Sequence, residues 1–128
     1  MSHVATLALP LVKTNRKLIN GTGRRRCAED ALFNDCDSET ADQLLAGAAY
    51  QSAASFETPT AFAAADVLVP KTYVVCEEDH AVTVDVQLAM IGALENTTEV
   101  RVRSGHCVHL NTEALPKVLN AIEAAAGL

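Results

Sequence analysis

Two β-branched runs on either side of a helical stretch constrain this fold more than any other feature of the sequence. The runs are Thr72–Cys76 and Glu99–Arg103, and apolar residues recur at helical spacing between them. Strand, helix and strand within about thirty residues form a βαβ unit, in which the two strands run parallel. The carboxyl ends of parallel strands lie at one edge of the sheet, where open α/β sheets bind their ligands. The sequence therefore predicts an α/β fold with its chemistry at that edge.

Titratable residues follow both predicted strands directly, at Glu77–His80 and at Ser104–His106. Asp79 and His106 lie 27 positions apart in the sequence, yet we expect them to meet because both follow a strand at the same sheet edge. A carboxylate that accepts from one histidine nitrogen fixes the tautomer and stabilises the imidazolium formed during acyl transfer. Asp79 and His106 are therefore the candidate catalytic residues, and the alternative is a pair of solvated loop side chains.

The region upstream of the βαβ unit, residues 28–66, has a helical pattern. One helix is predicted over about Glu39–Tyr50, with Ser38 as its N-cap residue. The aromatic residues Phe56 and Phe62 are candidates for the core. Nothing in this region has the pattern of a catalytic or metal-binding motif.

The region 67–128 is predicted to have the order strand, helix, strand, helix. The second strand alternates polar and apolar residues, which suits an edge position. The last helix is predicted over Thr112–Ala126, with Gly127 placed to end it. Its apolar face comprises Leu115, Val118, Leu119 and Ile122.

Charge is distributed unevenly along the 128 residues. Residues 1–27 form a basic segment, predicted to be flexible, that holds six of the ten Lys and Arg residues and no acid. Such an asymmetry is compatible with an irregular terminus from a truncated or misassembled reading frame, with a targeting arm, or with a nucleic-acid patch. No aromatic residue is interleaved with the basic ones, so we expect no nucleic-acid partner.

The composition limits the cellular compartment and the binding partners that we expect. No apolar run approaches the roughly 18 residues that a membrane span needs, so no membrane partner is expected. The four cysteines form no C-x-x-C pair and are interpreted as reduced thiols, which favours a cytoplasmic location. The strand Thr72–Cys76 is apolar enough to be central but has one predicted neighbour, and its free edge predicts self-association.

The sequence around both candidate residues resembles a known family. K-T-Y-V-V-C-E-E-D-H-A-V (71–82) resembles the late strand and acid loop of α/β-hydrolases of the esterase, methylesterase and hydroxynitrile-lyase kind, especially their fungal relatives. S-G-H-C-V-H-L (104–110) resembles the family segment that carries the catalytic histidine. A-E-D-A-L-F-N-D-C-D-S-E-T-A (28–41) and Q-S-A-A-S-F-E-T-P (51–59) resemble the cap region of these proteins.

The resemblance extends over about residues 28–127 and implies a partial α/β-hydrolase fold, with cap helices plus the last two parallel strands and their helices. It implies that Asp79 is the acid and His106 the base of a Ser-Asp-His triad. The implied reaction is hydrolysis of a small-molecule ester, and the family resemblance implies no cofactor.

The sequence departs from this family at the nucleophile. Such hydrolases carry G-x-S-x-G on an earlier strand, and this sequence has no such motif. Ser104 is too close to His106 along the backbone to present its oxygen to the imidazole. We therefore expect the C-terminal half of such a hydrolase, inactive alone. The alternative is a non-catalytic interaction protein built on a hydrolase-like half-domain.

A zinc site is a further alternative for the same residues. Two thiols, three imidazoles and a carboxylate occur at 76–80 and 106–109, which are enough donors for zinc. Their spacing matches no known zinc finger, and the hydrolase resemblance accounts for the same residues. We therefore expect no metal, with His80 as an exposed loop residue and His109 as part of a pocket wall.

Overall fold

A two-stranded parallel sheet carries the candidate residues. The structure is a computed structural model and describes residues 22–48 and 54–127. Short 3-10 turns at Ala64–Asp66 and Val108–Leu110 accompany the regular elements. In chain order these elements are α1 (Thr22–Phe33), α2 (Ser38–Ala46), α3 (Ala54–Glu57), β1 (Lys71–Cys76), α4 (Val84–Gly92), β2 (Thr97–Val102) and α5 (Leu115–Ala126).

The predicted βαβ unit is confirmed. β1 and β2 pair in parallel, from Lys71 opposite Thr97 to Cys76 opposite Val102. Helix α4 connects them and packs against β1. Both strands end at the same edge because the register has no offset at Cys76 and Val102, so the loops that follow them begin side by side.

The helices upstream of the sheet differ from the sequence prediction at their ends. The N-cap of α2 is Asp37 and not Ser38, because Asp37 Oδ1 accepts a hydrogen bond from Thr40 N at 2.9 Å. The helix stops at Ala46, well before Tyr50, since the next residue is Gly47 and glycine is a poor helix former.

Part of the predicted flexible segment is helical. Helix α1 begins at Thr22, inside the 1–27 segment, and includes Arg24–Arg26. Arginine and alanine are good helix formers, which accounts for the early start. Residues 1–21 lie outside the described part of the chain.

The core is small and lies where α5 crosses the sheet. Cys76, Val102 and Ala114 are buried together, with Val74 and Val118 among the apolar residues packed against them. The two-stranded sheet offers α5 a narrow surface, so the helix buries one part of its apolar face and leaves the rest in solvent.

For this reason part of the predicted apolar face of α5 is exposed, and one predicted core residue is not buried. Leu119 and Ile122 of the predicted apolar face are 49% and 59% exposed. Phe62 is 69% exposed, so the prediction that it belongs to the core is wrong. The side chain of Phe56 lies outside what the structure describes. Among the helices of residues 22–48 and 54–127, none has both the length and the apolar character to cross a membrane.

Candidate active site

Asp79 and His106 meet at the carboxyl ends of the two strands. His106 Nδ1 lies 3.0 Å from Asp79 Oδ2. A carboxylate only accepts hydrogen bonds, so Nδ1 carries the proton and donates it, which leaves Nε2 as the basic nitrogen. The Asp79 side chain is 6% exposed and that of His106 is 37% exposed. A buried acid therefore orients a partly exposed imidazole, which is the arrangement that general base catalysis requires.

The acid loop, residues 77–83, holds Asp79 through its own backbone. Asp79 Oδ1 accepts from Ala81 N at 2.8 Å and from Val82 N at 2.9 Å. This Asx-type turn uses one carboxylate oxygen and leaves Oδ2 for His106. The carboxylate thus has a partner on each oxygen, and rotation of its side chain would break at least one of these bonds.

Gln87 of α4 ties the acid loop to β1. Its side chain is buried, and its Nε2 donates to Cys76 O at 2.9 Å and to Val82 O at 2.7 Å. Its Oε1 accepts from Cys76 N at 3.0 Å. These three bonds join the end of β1 to the turn that follows Asp79. Gln87 therefore fixes the segment from Cys76 to Val82.

The base loop, residues 103–111, is held by a carboxylate from far upstream. Asp35, in the turn between α1 and α2, accepts through Oδ2 from Gly105 N at 2.8 Å, Asn111 Nδ2 at 2.9 Å and Ser104 Oγ at 3.1 Å. Burial by itself would raise the pKa of Asp35, but the hydrogen bonds from Gly105, Asn111 and Ser104 together hold it below its ordinary value. Asp35 is therefore ionised at neutral pH and fixes the residues on either side of His106.

The residue before Asp35 reaches the other loop. Asn34 Nδ2 donates to Glu78 O at 2.7 Å. The Oδ1 atoms of Asn34 and Asp35 are buried against Gly105 and meet no hydrogen-bond donor among residues 22–48 and 54–127. The turn between α1 and α2 is thus pressed closely onto both strand-end loops.

Sequence reasoning predicted that Asp79 and His106 meet but missed the three residues that hold their loops: Asn34, Asp35 and Gln87. For Gln87 a signal was available, because it is a polar residue among the apolar side chains of V-D-V-Q-L-A-M-I (84–91). Asn34 and Asp35 precede a predicted helix, and in the sequence they look like ordinary residues at a helix boundary.

None of the described side chains is placed as an activated nucleophile for His106. Ser104 is fully buried, and its hydroxyl hydrogen bonds to Asp35 and to Gly105 O rather than to the imidazole. The thiol of Cys107 is adjacent to His106 in sequence, but burial and the negative charges around it raise its pKa. Burial and the Asp79 carboxylate likewise raise the pKa of Cys76. These thiols stay protonated at neutral pH and are poor nucleophiles.

The remaining histidines of the two loops are exposed. His80 Nδ1 lies 3.0 Å from Asp30 Oδ1 on α1, and both side chains are largely in solvent. His109 is exposed in the 3-10 turn after His106. Within the described ranges, no three side chains of His, Cys, Asp or Glu come together in a group that could hold a metal ion.

An open depression of about 590 Å³ lies beside the acid loop. His106 does not line it. Its polar and acidic walls differ from the mostly apolar cavity in which enzymes usually bind the body of a small-molecule substrate. The lining residues are Asn34, Glu77, Glu78, Asp79, His80, Thr83, Val84 and Asp85.

The chain is similar to a curated protein named alpha/beta hydrolase nvfD, from Aspergillus novofumigatus. The two sequences are 34% identical over 99 residues, which is 77% of this chain and 38% of the relative. No family model matches the sequence, and no solved structure matches it. The parallel βαβ unit and its helices are compatible with part of an α/β fold of the kind that the relative's name denotes.

Proposed function

We propose that this chain provides the acid and the base of an α/β-hydrolase-type ester hydrolysis. The observation that carries the proposal is the 3.0 Å contact between His106 Nδ1 and Asp79 Oδ2 at the carboxyl ends of two paired parallel strands. The similarity to a relative named alpha/beta hydrolase supports it, because the matched 99 residues account for most of this chain.

In the proposed reaction His106 Nε2 takes the proton from a serine hydroxyl as that oxygen attacks the ester carbonyl. The same nitrogen then gives the proton to the departing alcohol, so His106 acts first as general base and then as general acid. Asp79 remains ionised throughout, holds the Nδ1–H tautomer and stabilises the imidazolium. The proposed substrate is a small-molecule ester, and the reaction uses no cofactor.

The proposal assigns the nucleophile and the oxyanion hole to a separate polypeptide segment. The sequence has no G-x-S-x-G motif, and Ser104 hydrogen bonds away from His106. A segment of that kind would pair with the edge of β1 that has no neighbour within the described sheet. Without a nucleophile no acyl-enzyme forms, so the 128-residue chain alone should hydrolyse an activated aryl ester no faster than buffer.

A hybrid protein tests the proposed role of the pair. Residues 28–128 are joined to the nucleophile-bearing half of an active α/β-hydrolase that is similar in sequence to this chain. Esterase activity should appear, His106→Ala should abolish it, and Asp79→Asn should lower it on the order of ten-thousand-fold through the wrong histidine tautomer. His80→Ala, at the neighbouring exposed histidine, is the matched control and should leave the rate unchanged.

Two outcomes would contradict this proposal. The first is a folded hybrid that hydrolyses the ester equally well with Asp79→Asn. The second is labelling of the native chain by a serine-reactive fluorophosphonate together with turnover that His106→Ala abolishes, because this would place a nucleophile within the 128 residues.

The alternative function is a non-catalytic interaction protein. Large apolar side chains stand in solvent before β1, with Leu68 86% and Val69 65% exposed, and the adjacent sheet edge is open among the described residues. Self-association through that edge would bury this surface. Sedimentation over a hundredfold range of concentration tests this self-association, and a monomer at every concentration with one sharp unfolding transition would count against it, whereas a stable hetero-complex would favour the interaction protein.

A further inference from the structure

We propose that Asn34 and Asp35 are positioning residues that set the distance between the acid and the base. This inference rests on the proposed role of Asp79 and His106. The two adjacent residues bind opposite loops: Asn34 hydrogen bonds to the acid loop and Asp35 to the base loop.

The contacts fall on the peptide groups next to the two candidate residues. Asn34 Nδ2 donates to the carbonyl of Glu78, which belongs to the peptide bond that leads into Asp79. Asp35 Oδ2 accepts from the amide of Gly105, one residue before His106. Since the Cα atoms of Asn34 and Asp35 are separated by one trans peptide, about 3.8 Å, the two loops are held at a fixed spacing.

The strand ladder alone does not fix this spacing. Its last backbone bond between the loops runs from Glu78 N to Ser104 O at 3.0 Å. Asp79 and His106 both lie past this bond. An exposed ion pair between Arg103 Nε and Glu78 Oε1 also joins the loops, and the contacts of Asn34 and Asp35 add a connection at the peptide groups just before the two side chains that must meet.

The negative charge of Asp35 strengthens its hydrogen bonds to the base loop. Three donors converge on its Oδ2, and hydrogen bonds to a charged acceptor are about twice as strong as neutral ones. Loss of that charge should let the base loop shift. The Asp79–His106 hydrogen bond should then weaken, although neither partner has been changed.

The tautomer of His106 is the measurement that separates positioning from stability. A free histidine side chain in water prefers the Nε2–H form, whereas a carboxylate that accepts from Nδ1 selects the Nδ1–H form. Nitrogen chemical shifts of the ¹⁵N-histidine-labelled chain report the ratio of the two forms at neutral to mildly alkaline pH. In the unsubstituted chain we expect His106 to be mostly Nδ1–H and the exposed His109 to be mostly Nε2–H.

The test compares the same substitution at two positions of one turn. Asp35→Asn should reduce the ratio of Nδ1–H to Nε2–H at His106 on the order of tenfold, the factor expected for loss of about one charge-assisted hydrogen bond. Asp37→Asn changes the N-cap of α2, which contacts neither loop, and should leave the ratio unchanged. Asp35→Glu keeps the charge and should restore part of the ratio.

An unchanged tautomer in folded Asp35→Asn would overturn the proposal, as would an equal change in Asp37→Asn. If Asp35→Asn does not fold, Asn34→Ala decides, because it removes a single hydrogen bond and should shift the ratio in the same direction. The readout needs no nucleophile. An inactive hybrid protein with the expected tautomer shift would therefore refute the proposed function alone.

Discussion

The two loops that form the candidate site are held in opposite ways. The acid loop is fixed from within: the partners of Asp79 Oδ1 are two and three residues ahead, and Gln87 lies 11 residues beyond Cys76. The base loop is fixed from outside, by a carboxylate 70 residues before Gly105. Asp79 is therefore held mainly by the βαβ unit itself, whereas the residues next to His106 are held by the α1–α2 turn.

Because of this difference, the two loops of the site depend on different parts of the fold. The bonds that hold the Asp79 side chain and the ends of the acid loop come from the loop itself and from Gln87, so they can form once β1 and α4 have formed, whereas the contact of Asn34 with Glu78 O is added when the α1–α2 turn docks. The base loop pays a larger loop-closure entropy, since its partner must be brought in across the whole βαβ unit. We therefore expect changes in the α1–α2 turn to act mainly on the base loop, and the following variants compare how much stability the contacts of each loop provide.

The largest expected effect is at Gln87. Gln87→Met keeps the side-chain volume but leaves Cys76 N and Val82 O without their partner, and leaves Cys76 O with the longer bond from Asp79 N at 3.4 Å. The free energy of unfolding should fall by about 3 kcal/mol, measured by urea denaturation. Gln43→Met is the control, because Gln43 is exposed on α2, and it should change the free energy by less than about 0.5 kcal/mol.

Gly105→Ala should be next in size. An added Cβ would clash with Asn34 Oδ1 and lie 2.5 Å from Asp35 Oδ1, which is too close for a carbon and an oxygen that are not bonded, so these side chains or the turn that carries them must shift. Overpacking of this kind costs about 1–3 kcal/mol. Gly92→Ala is the matched control, since a Cβ there meets nothing within 4 Å. Equal denaturation midpoints for the two variants would contradict close packing at Gly105.

Asp35→Asn should produce a pH-dependent loss of stability. The pKa of Asp35 is lowered in the folded chain, so its contribution is present above the unfolded pKa of about 3.9 and disappears as the pH falls through the folded value. At pH 7 the variant should be less stable by about 1–2 kcal/mol, allowing for partial exposure. The difference should shrink below about pH 4, and a constant difference from pH 7 to pH 2 would argue against an ionised Asp35.

The smallest effect is expected at the N-cap of α2. Asp37→Asn replaces one good N-cap residue with another, and Asn can still accept from Thr40 N. The denaturation midpoint should move less than that of Asp35→Asn at pH 7. If the two variants were equally destabilised, the contacts of Asp35 with the base loop would carry no more energy than an ordinary helix cap.

The sequence by itself determined the βαβ unit, the parallel strands, the placement of Asp79 and His106 at their ends, and the stop of α5 at Gly127, whose φ of 73° suits glycine. These features depend on periodicity, turn chemistry and strand direction, which are local properties of the chain. Asp79 and His106 could be chosen as candidates because each follows its strand closely.

Only the tertiary structure decided what holds the base and what remains in solvent. Asp35 is one of sixteen acidic residues, and nothing near it in sequence marks it as the partner of a loop about 70 positions later. Phe62 and Ile122 have the composition of core residues, yet a sheet of two strands is too narrow to cover them. Burial and long-range hydrogen bonds depend on which surfaces of the chain pack together. The local sequence pattern of one segment does not indicate which distant segment it will contact.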